Sequence, residues 1–253
     1  MKQKLPANWR QWVERYDRMQ ETYLLRRSER FDVIVAMVRA TQTSPKRIVD
    51  LGCGTGTLTQ RLLIAFPECQ VVGIDIDASL LLLTRARLSD YGSRAIILHR
   101  DLRDGSWADD VGESVDAATS STALHWLAPD QLIEFYGRLS KILKPGGLFI
   151  NADPVACKHP VVQKAWEVER ELGRQTIVDS TADTWSGFFR EYAQAVGTDP
   201  GTMGDKAVGS WTGVEEGMPL SWHFDQLRKN GFVSPECFWR CNCDAVYGAF
   251  RAV

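Results

Sequence analysis

The chain reads as an α/β protein: a doubly wound, mostly parallel seven-stranded sheet, closed by a C-terminal antiparallel β-hairpin and carrying a helical cap. Three observations predict this. From residue 46, short β-rich runs alternate with longer segments of helical periodicity, the pattern of crossover units around a parallel sheet. The last two β-rich runs lie too close together for a crossover, so they pair antiparallel. Residues 155–215 interrupt the alternation with two amphipathic segments and a glycine-rich stretch, which reads as an insertion.

Ahead of the sheet, Trp9, Trp12, Val13, Tyr16, Met19, Tyr23 and Leu24 recur at helical spacing. A second amphipathic segment places Phe31, Ile34, Met37 and Val38 on one face and ends at Pro45. Residues 1–40 are therefore expected to form an N-terminal helical lid. Strands are expected at 47–51, 70–74, 95–99, 115–119 and 148–151, with helices through Leu58–Phe66, 80–88 and 131–143, giving a binding core at 46–152. In the cap, Val162, Ala165, Trp166, Glu169 and Leu172 share one helical face, and Trp185, Phe188, Phe189, Tyr192 and Val196 share another. Glycine-rich sequence fills 197–217, and Trp211 adds to the cap's aromatics. Residues 218–252 return to the core as a helix at 220–230 stopped by Gly231, then strands at 233–241 and 245–252.

Composition narrows the function. Of 253 residues, 44% are hydrophobic and 25% charged, which suits one globular domain with an insertion and excludes a disordered chain. A net charge of −2 offers no field for polyanions, so no nucleic-acid partner is expected. The longest uninterrupted apolar run, 33–38, is far short of the ~20 residues of a membrane span, and residues 1–8 contain no apolar leader. Six cysteines in a chain this long do not suggest a disulfide framework. The expectation is a cytoplasmic monomer or homodimer with a small-molecule substrate and no membrane partner.

The most informative segment is Asp50-Leu51-Gly52-Cys53-Gly54-Thr55-Gly56, where a strand runs through three alternating glycines into a helix. Glycines there let the chain turn tightly and let a ligand lie against the main chain. Thr57 stands where the dinucleotide fingerprint needs its third glycine, and the Lys-Ser/Thr pair of a phosphate-binding loop is missing. Asp75 ends the next strand, 19 residues after Gly56, where a carboxylate suits ribose hydroxyls. Asp101 follows the third strand and suits an adenine amino group. Together they describe a pocket for a nucleoside with a small charged tail.

With these residues in place, the sequence resembles the class I S-adenosylmethionine-dependent methyltransferases. The matching pieces are Asp50 to Gly56, Gly73-Ile74-Asp75-Ile76-Asp77, Arg100-Asp101-Leu102, the run from Val115 to His125-Trp126, and Leu143 to Ile150. The resemblance implies S-adenosyl-L-methionine as cofactor. It sets Gly52, Cys53, Gly54 and Gly56 under the methionine part, Asp75 and Ile76 at the ribose, Asp101 and Leu102 beside the adenine, and Ser120 near the sulfonium. Asp50 either orients the glycine turn or meets the cofactor's amino group, and Asp77 reads as a helix N-cap. After residues 115–119 the chain reads Ser120-Ser121-Thr122-Ala123 and not Asn/Asp-Pro-Pro-Tyr, which argues against methylation of base amines. Methyl transfer to a small molecule by in-line displacement is the implied function.

His125 is the histidine that the motifs bring to the carboxyl edge of the sheet, where doubly wound folds bind ligands. It is the catalytic candidate as a general base, with pocket-lining and structural roles as the alternatives. Tyr16, Tyr23, Trp126, Trp185 and Trp222 are the candidate substrate-pocket residues, although helical spacing of the cap aromatics equally fits a small core. Arg10, Arg15, Arg18, Arg26 and Arg27 read as a solvated face. Cys237, Cys241 and Cys243 fit neither zinc pairs nor the C-x3-C-x2-C of radical enzymes that share the cofactor, so no metal is expected; on a continuous strand they share one face, as core residues. Two other functions remain open. Residues 231–240 faintly resemble the end of the carboxy-S-adenosylmethionine synthases, which modify the cofactor, and a non-catalytic cofactor-binding module would carry the same motifs.

Overall fold

The structure is a computed structural model and describes residues 3–177, 181–204, 213–214 and 216–253; Trp211 lies outside them. Seven strands form one sheet: β1 (Arg47–Leu51), β2 (Gln70–Asp75), β3 (Ala95–His99), β4 (Val115–Ser121), β5 (Leu143–Pro154), β6 (Phe232–Cys241) and β7 (Asp244–Arg251). Their order is β3-β2-β1-β4-β5-β7-β6, parallel through β5, with β7 antiparallel to both β5 and β6. The expected sheet, its closing hairpin and its helical layers are all present. The order reverses between β1 and β4, so the crevice for a ligand opens over the carboxyl ends of β1, β2 and β4.

Side chains alternate across the strands, and each face has its own core. Ile48, Val71, Ala117 and Leu148 pack against α2 (Arg27–Thr41) through Phe31, Ile34 and Val38, and against α3 (Thr57–Ala65) through Leu58 and Leu62. Val49, Val72, Ala118 and Phe149 face α5 (Ser106–Val111), α6 (Pro129–Ile142) and α9 (Leu220–Lys229), represented by Trp107, Phe135 and Leu227. Burying each such side chain contributes about 1.5–3 kcal/mol. A third cluster shares no residue with these two. It joins Trp12, Tyr16 and Met19 of α1 (Trp9–Tyr23), Leu80 and Leu83 of α4 (Ala78–Arg87), and Phe188, Tyr192 and Val196 of α8 (Trp185–Val196). Its rings are close, with Trp12 and Tyr192 centroids 5.2 Å apart and Phe188 stacked on Tyr192 at 5.6 Å.

Four expectations are corrected. Of the proposed lid at 1–40, α1 and the residues just ahead of it pack with the cap, Lys4 N donating to Val196 O at 3.1 Å; α2 covers the sheet, because Phe31, Ile34 and Val38 match the apolar face over β1 and β4. In α7 (Pro160–Thr176) the helix forms but no residue is buried, and Leu172 is 51% exposed. That helix lies along the α1–α2 connection, where a Cβ at Gly173 would stand 2.8 Å from Leu25 Cδ1. The cysteine run does not keep one face. Register shifts at Val233/Glu236 and Cys237/Trp239 break the alternation, leaving Cys237 and Cys241 half-buried, while Cys243 is buried in the turn before β7. The basic residues of the first two helices are not all solvated: Arg27 is buried, and Arg15 bonds Asp183 at 2.6 Å and Glu191 at 2.8 Å, tying α1 to the cap. No helix among the described residues is long and apolar enough to cross a membrane.

Candidate active site

The floor of the crevice is main chain. After β1, Gly52 (φ +75°) and Gly54 (φ +54°) both take left-handed conformations that side chains resist. A Cβ on Gly52 would lie 2.2 Å from Ala123 Cβ, and one on Gly54 3.4 Å from the Tyr16 hydroxyl. Gly52 N and Cys53 N donate to Ile74 O at 2.8 and 2.9 Å, pinning the turn to β2. Above it opens a cavity of about 510 Å³.

Two carboxylates border this floor. Asp50 accepts Thr59 Oγ1 at 2.6 Å and Thr119 Oγ1 at 3.3 Å; Asp75 accepts Gly54 N and Asp77 N, each at 2.8 Å. Burial pushes both up to about 6, against the hydrogen bonds that favour their charged forms. Neither has an ion-pair partner among the described residues, and each keeps lone pairs for a ligand. An anionic floor beneath an open cavity fits a ligand with cationic groups, and S-adenosyl-L-methionine carries a sulfonium and an ammonium. Asp77 caps α4 by accepting Ser79 N at 2.8 Å and Leu80 N at 3.2 Å, and also accepts Gly204 N of the cap at 2.7 Å.

Ile76, Asp101 and Leu102 line the cavity on the β2–β3 side. Burial would raise the Asp101 carboxyl, but the Arg103 guanidinium, bonded at 2.7 Å, holds it below the usual carboxylate range. Tyr16, Tyr23, Trp126 and Trp185 line the opposite walls, joined by Cys53 and Gly54 on the floor. Tyr23 takes a hydrogen bond from Trp185 N at 3.1 Å, and their rings meet edge to face.

Three expected site residues are placed elsewhere. Gly56 caps α3 (φ +80°), where a Cβ would meet Thr84 Cγ2 at 2.8 Å. Ser120 is fully buried and donates to Leu51 O at 2.7 Å, leaving Ser121 and Thr122 on the wall. Trp222 is half-buried and packs with His223 against the core under α9, and it does not line the cavity.

His125 lines the cavity from a 3₁₀ turn (Leu124–Trp126) after β4. Its Nδ1 lies 2.7 Å from Asp153 Oδ1, and its backbone N donates to Asp153 Oδ2 at 2.9 Å. A carboxylate so placed accepts the Nδ1 hydrogen and fixes Nε2 as the proton-accepting nitrogen. Behind it runs a buried polar chain: Asn151 Nδ2 donates to Tyr247 Oη at 3.0 Å, and Tyr136 Oη lies 2.8 Å from His223 Nδ1. Burial pulls His223 down to about 4, so it stays neutral. Asp153 was missed in the sequence because β5 runs past its apolar stretch. Its only signal was an acid two residues beyond Asn151, on the strand beside that of His125. Arg27, Arg170 and Arg174 also line the cavity without a motif to mark them.

Comparison with known proteins agrees with this geometry. Residues 48–147 match the model of a methyltransferase domain. An uncharacterized methyltransferase of Geobacillus kaustophilus is 30% identical over 194 residues, covering 72% of this chain and 85% of its own length. A trans-aconitate 2-methyltransferase of an Acidovorax species is 32% identical over 140 residues, covering 55% of this chain and 49% of the relative. The chain thus spans about half the length of the trans-aconitate methyltransferases it matches. In fold it is similar to the S-adenosylmethionine-dependent methyltransferase SibL, with a TM-score of 0.56 and 14% identity over 88% of this chain and 55% of that one. With the glycine turn, Asp75 and the seven-stranded order all in register, the chain belongs to the class I S-adenosylmethionine-dependent methyltransferases.

Proposed function

We propose that the protein transfers a methyl group from S-adenosyl-L-methionine to a small-molecule acceptor in the cytoplasm, with His125 as general base and Asp153 as the residue that positions it. The observation that carries this reading is one cavity lined both by the glycine turn with Asp50 and Asp75 and by His125, whose ring is held by Asp153 behind it. When bound, the cofactor supplies an electrophilic methyl group on a sulfonium that departs as a neutral thioether. The protein therefore has little leaving-group charge to stabilise, and its main tasks are alignment and exclusion of water.

Gly52 and Gly54 keep the floor free of side chains for the methionine part, Asp75 accepts from the ribose hydroxyls, and Ile76 and Leu102 border the adenine. Asp50 braces the turn through Thr59 and Thr119. Tyr16 stands over Gly54, and burial raises its phenol, so its hydroxyl stays a neutral hydrogen-bonding group. His125 Nε2 takes the proton of the acceptor hydroxyl or amine as its heteroatom attacks, and Asp153 holds the imidazole that becomes charged. α1 and α8 together serve as the lid that keeps water out.

Incubation with methyl-labelled cofactor and a metabolite extract tests the reading. Label in a small-molecule product supports it. A covalently altered cofactor with no labelled acceptor supports cofactor modification instead, and bound but unchanged cofactor supports a sensor module.

A further inference from the structure

The roof of the cavity is cationic where its floor is anionic. Arg170 and Arg174 stand one turn apart on α7, both half-buried and both lining the cavity. Arg174 Nε donates to Tyr23 O at 3.1 Å, and no carboxylate bonds either guanidinium among the described residues. Arg27 reaches the same cavity from α2, held only by longer contacts to Asp17 (3.4 Å) and to half-exposed Glu21 (3.3 Å). Behind them the nearby acid, Asp244, is already taken by buried Arg30 at 2.8 Å. Burial and the neighbouring charge of Arg170 both act to lower Arg174, against the smaller opposing pull of Asp244 and Glu171.

Like charges at i and i+4 destabilise a helix slightly, and desolvating guanidinium groups costs more. An arrangement that accepts both costs and points into a cavity of about 510 Å³ is built for an anion. We infer that Arg170 and Arg174 anchor a carboxylate of the acceptor, so that the acceptor is a small carboxylic acid held by one end while its reacting atom lies toward His125. Paired planar forks favour a carboxylate, which they bind bidentately, over a neutral polar group. Tyr23 and Trp185 beside the two arginines then wall the carbon skeleton. The inference rests on the methyl-transfer reading for the word acceptor, but the anion site itself does not depend on that reading.

The experiment uses the full chain saturated with S-adenosylhomocysteine, and propane-1,2,3-tricarboxylate as the probe, with its trimethyl ester and inorganic phosphate as controls. Calorimetry should find the tricarboxylate binding at least tenfold tighter than either control. Arg170→Gln/Arg174→Gln should weaken it at least tenfold while S-adenosylhomocysteine affinity stays within twofold, which also certifies the fold. An ester that binds as well as the acid, a double variant that binds it unchanged, or a wild type that does not bind it overturns the anion site. Phosphate binding tighter than the tricarboxylate overturns the assignment to a carboxylate. Failure of the methyl-transfer reading looks different: the acid binds and the double variant loses it, yet no carboxylic acid in a panel is methylated.

Discussion

The floor and the roof of the cavity are made in opposite ways. The floor is backbone: a turn of three glycines and two strand-end carboxylates within about one crossover unit, positioned by sheet hydrogen bonds and needing little help from elsewhere. The roof is side chain: α1, α7 and α8 come from distant parts of the sequence and meet through rings and ion pairs such as Arg15–Asp183. Floors of this kind tolerate little change but are shared across a family, whereas roofs can be repacked to admit another acceptor. On the proposed function, cofactor recognition and acceptor choice are thereby separated in space.

The comparison is broken most severely at the floor. Gly54→Val puts a branched side chain at a left-handed residue beneath the Tyr16 hydroxyl and should abolish detectable S-adenosylhomocysteine binding in calorimetry, while circular dichroism stays that of a folded protein. Asp153→Asn acts at the other end of the cavity. Turnover should fall about 10²–10⁴-fold with cofactor affinity unchanged. Removing residues 1–24 deletes α1 but spares α2, whose loss would strip one face of the sheet; a folded protein with weakened cofactor affinity and no turnover is expected.

Asp75→Asn should weaken binding by about 1.5–3 kcal/mol, the worth of hydrogen bonds to a charged group. Asparagine is preferred to alanine because Gly54 N and Asp77 N bond different oxygens of Asp75, and its single carbonyl keeps one of them paired where alanine would leave both without an acceptor. The mildest effect is on pH. Unliganded Asp50 and Asp75 sit at about 6, so below that value they hold protons that a cationic ligand must expel. Affinity for S-adenosylmethionine should rise between about pH 5 and 7, by at most about tenfold over that whole interval for each carboxylate. Stability is a poorer readout. The raised carboxylates lower it as pH climbs through about 4 to 6, whereas His223, pulled down to about 4, raises it over much the same range.

What could be read from the sequence follows the same division. Asp75 was legible because a strand, three glycines, a helix and the next strand fix its place by local geometry. The cap helix with Phe188 and Tyr192 was legible too, since its apolar face is buried as its periodicity requires. Asp153 was not, because it depends on how far β5 extends beyond its apolar run. Trp222 was misplaced because nothing in a helical wheel tells whether a side chain packs on the core or reaches the cavity. Leu172 was misplaced because an apolar stripe does not say what covers it. Arg170 and Arg174 carry no motif, and only the tertiary fold brings them to a cavity.

The third hydrophobic cluster has one more consequence. Since α1, α4 and α8 share no core residue with the two faces of the sheet, they can come apart while the sheet stays intact. Backbone amides of α1 and α8 should therefore exchange with solvent through a partial opening, and those of β1, β4 and β5 only when the whole molecule unfolds. Asp77 ties α4 to the cap within this cluster, holding the start of α4 with one carboxylate oxygen and Gly204 with the other. If the lid must open for the demethylated product to leave, the contacts among Trp12, Phe188 and Tyr192 set the cost of that opening, and loosening them should speed product release.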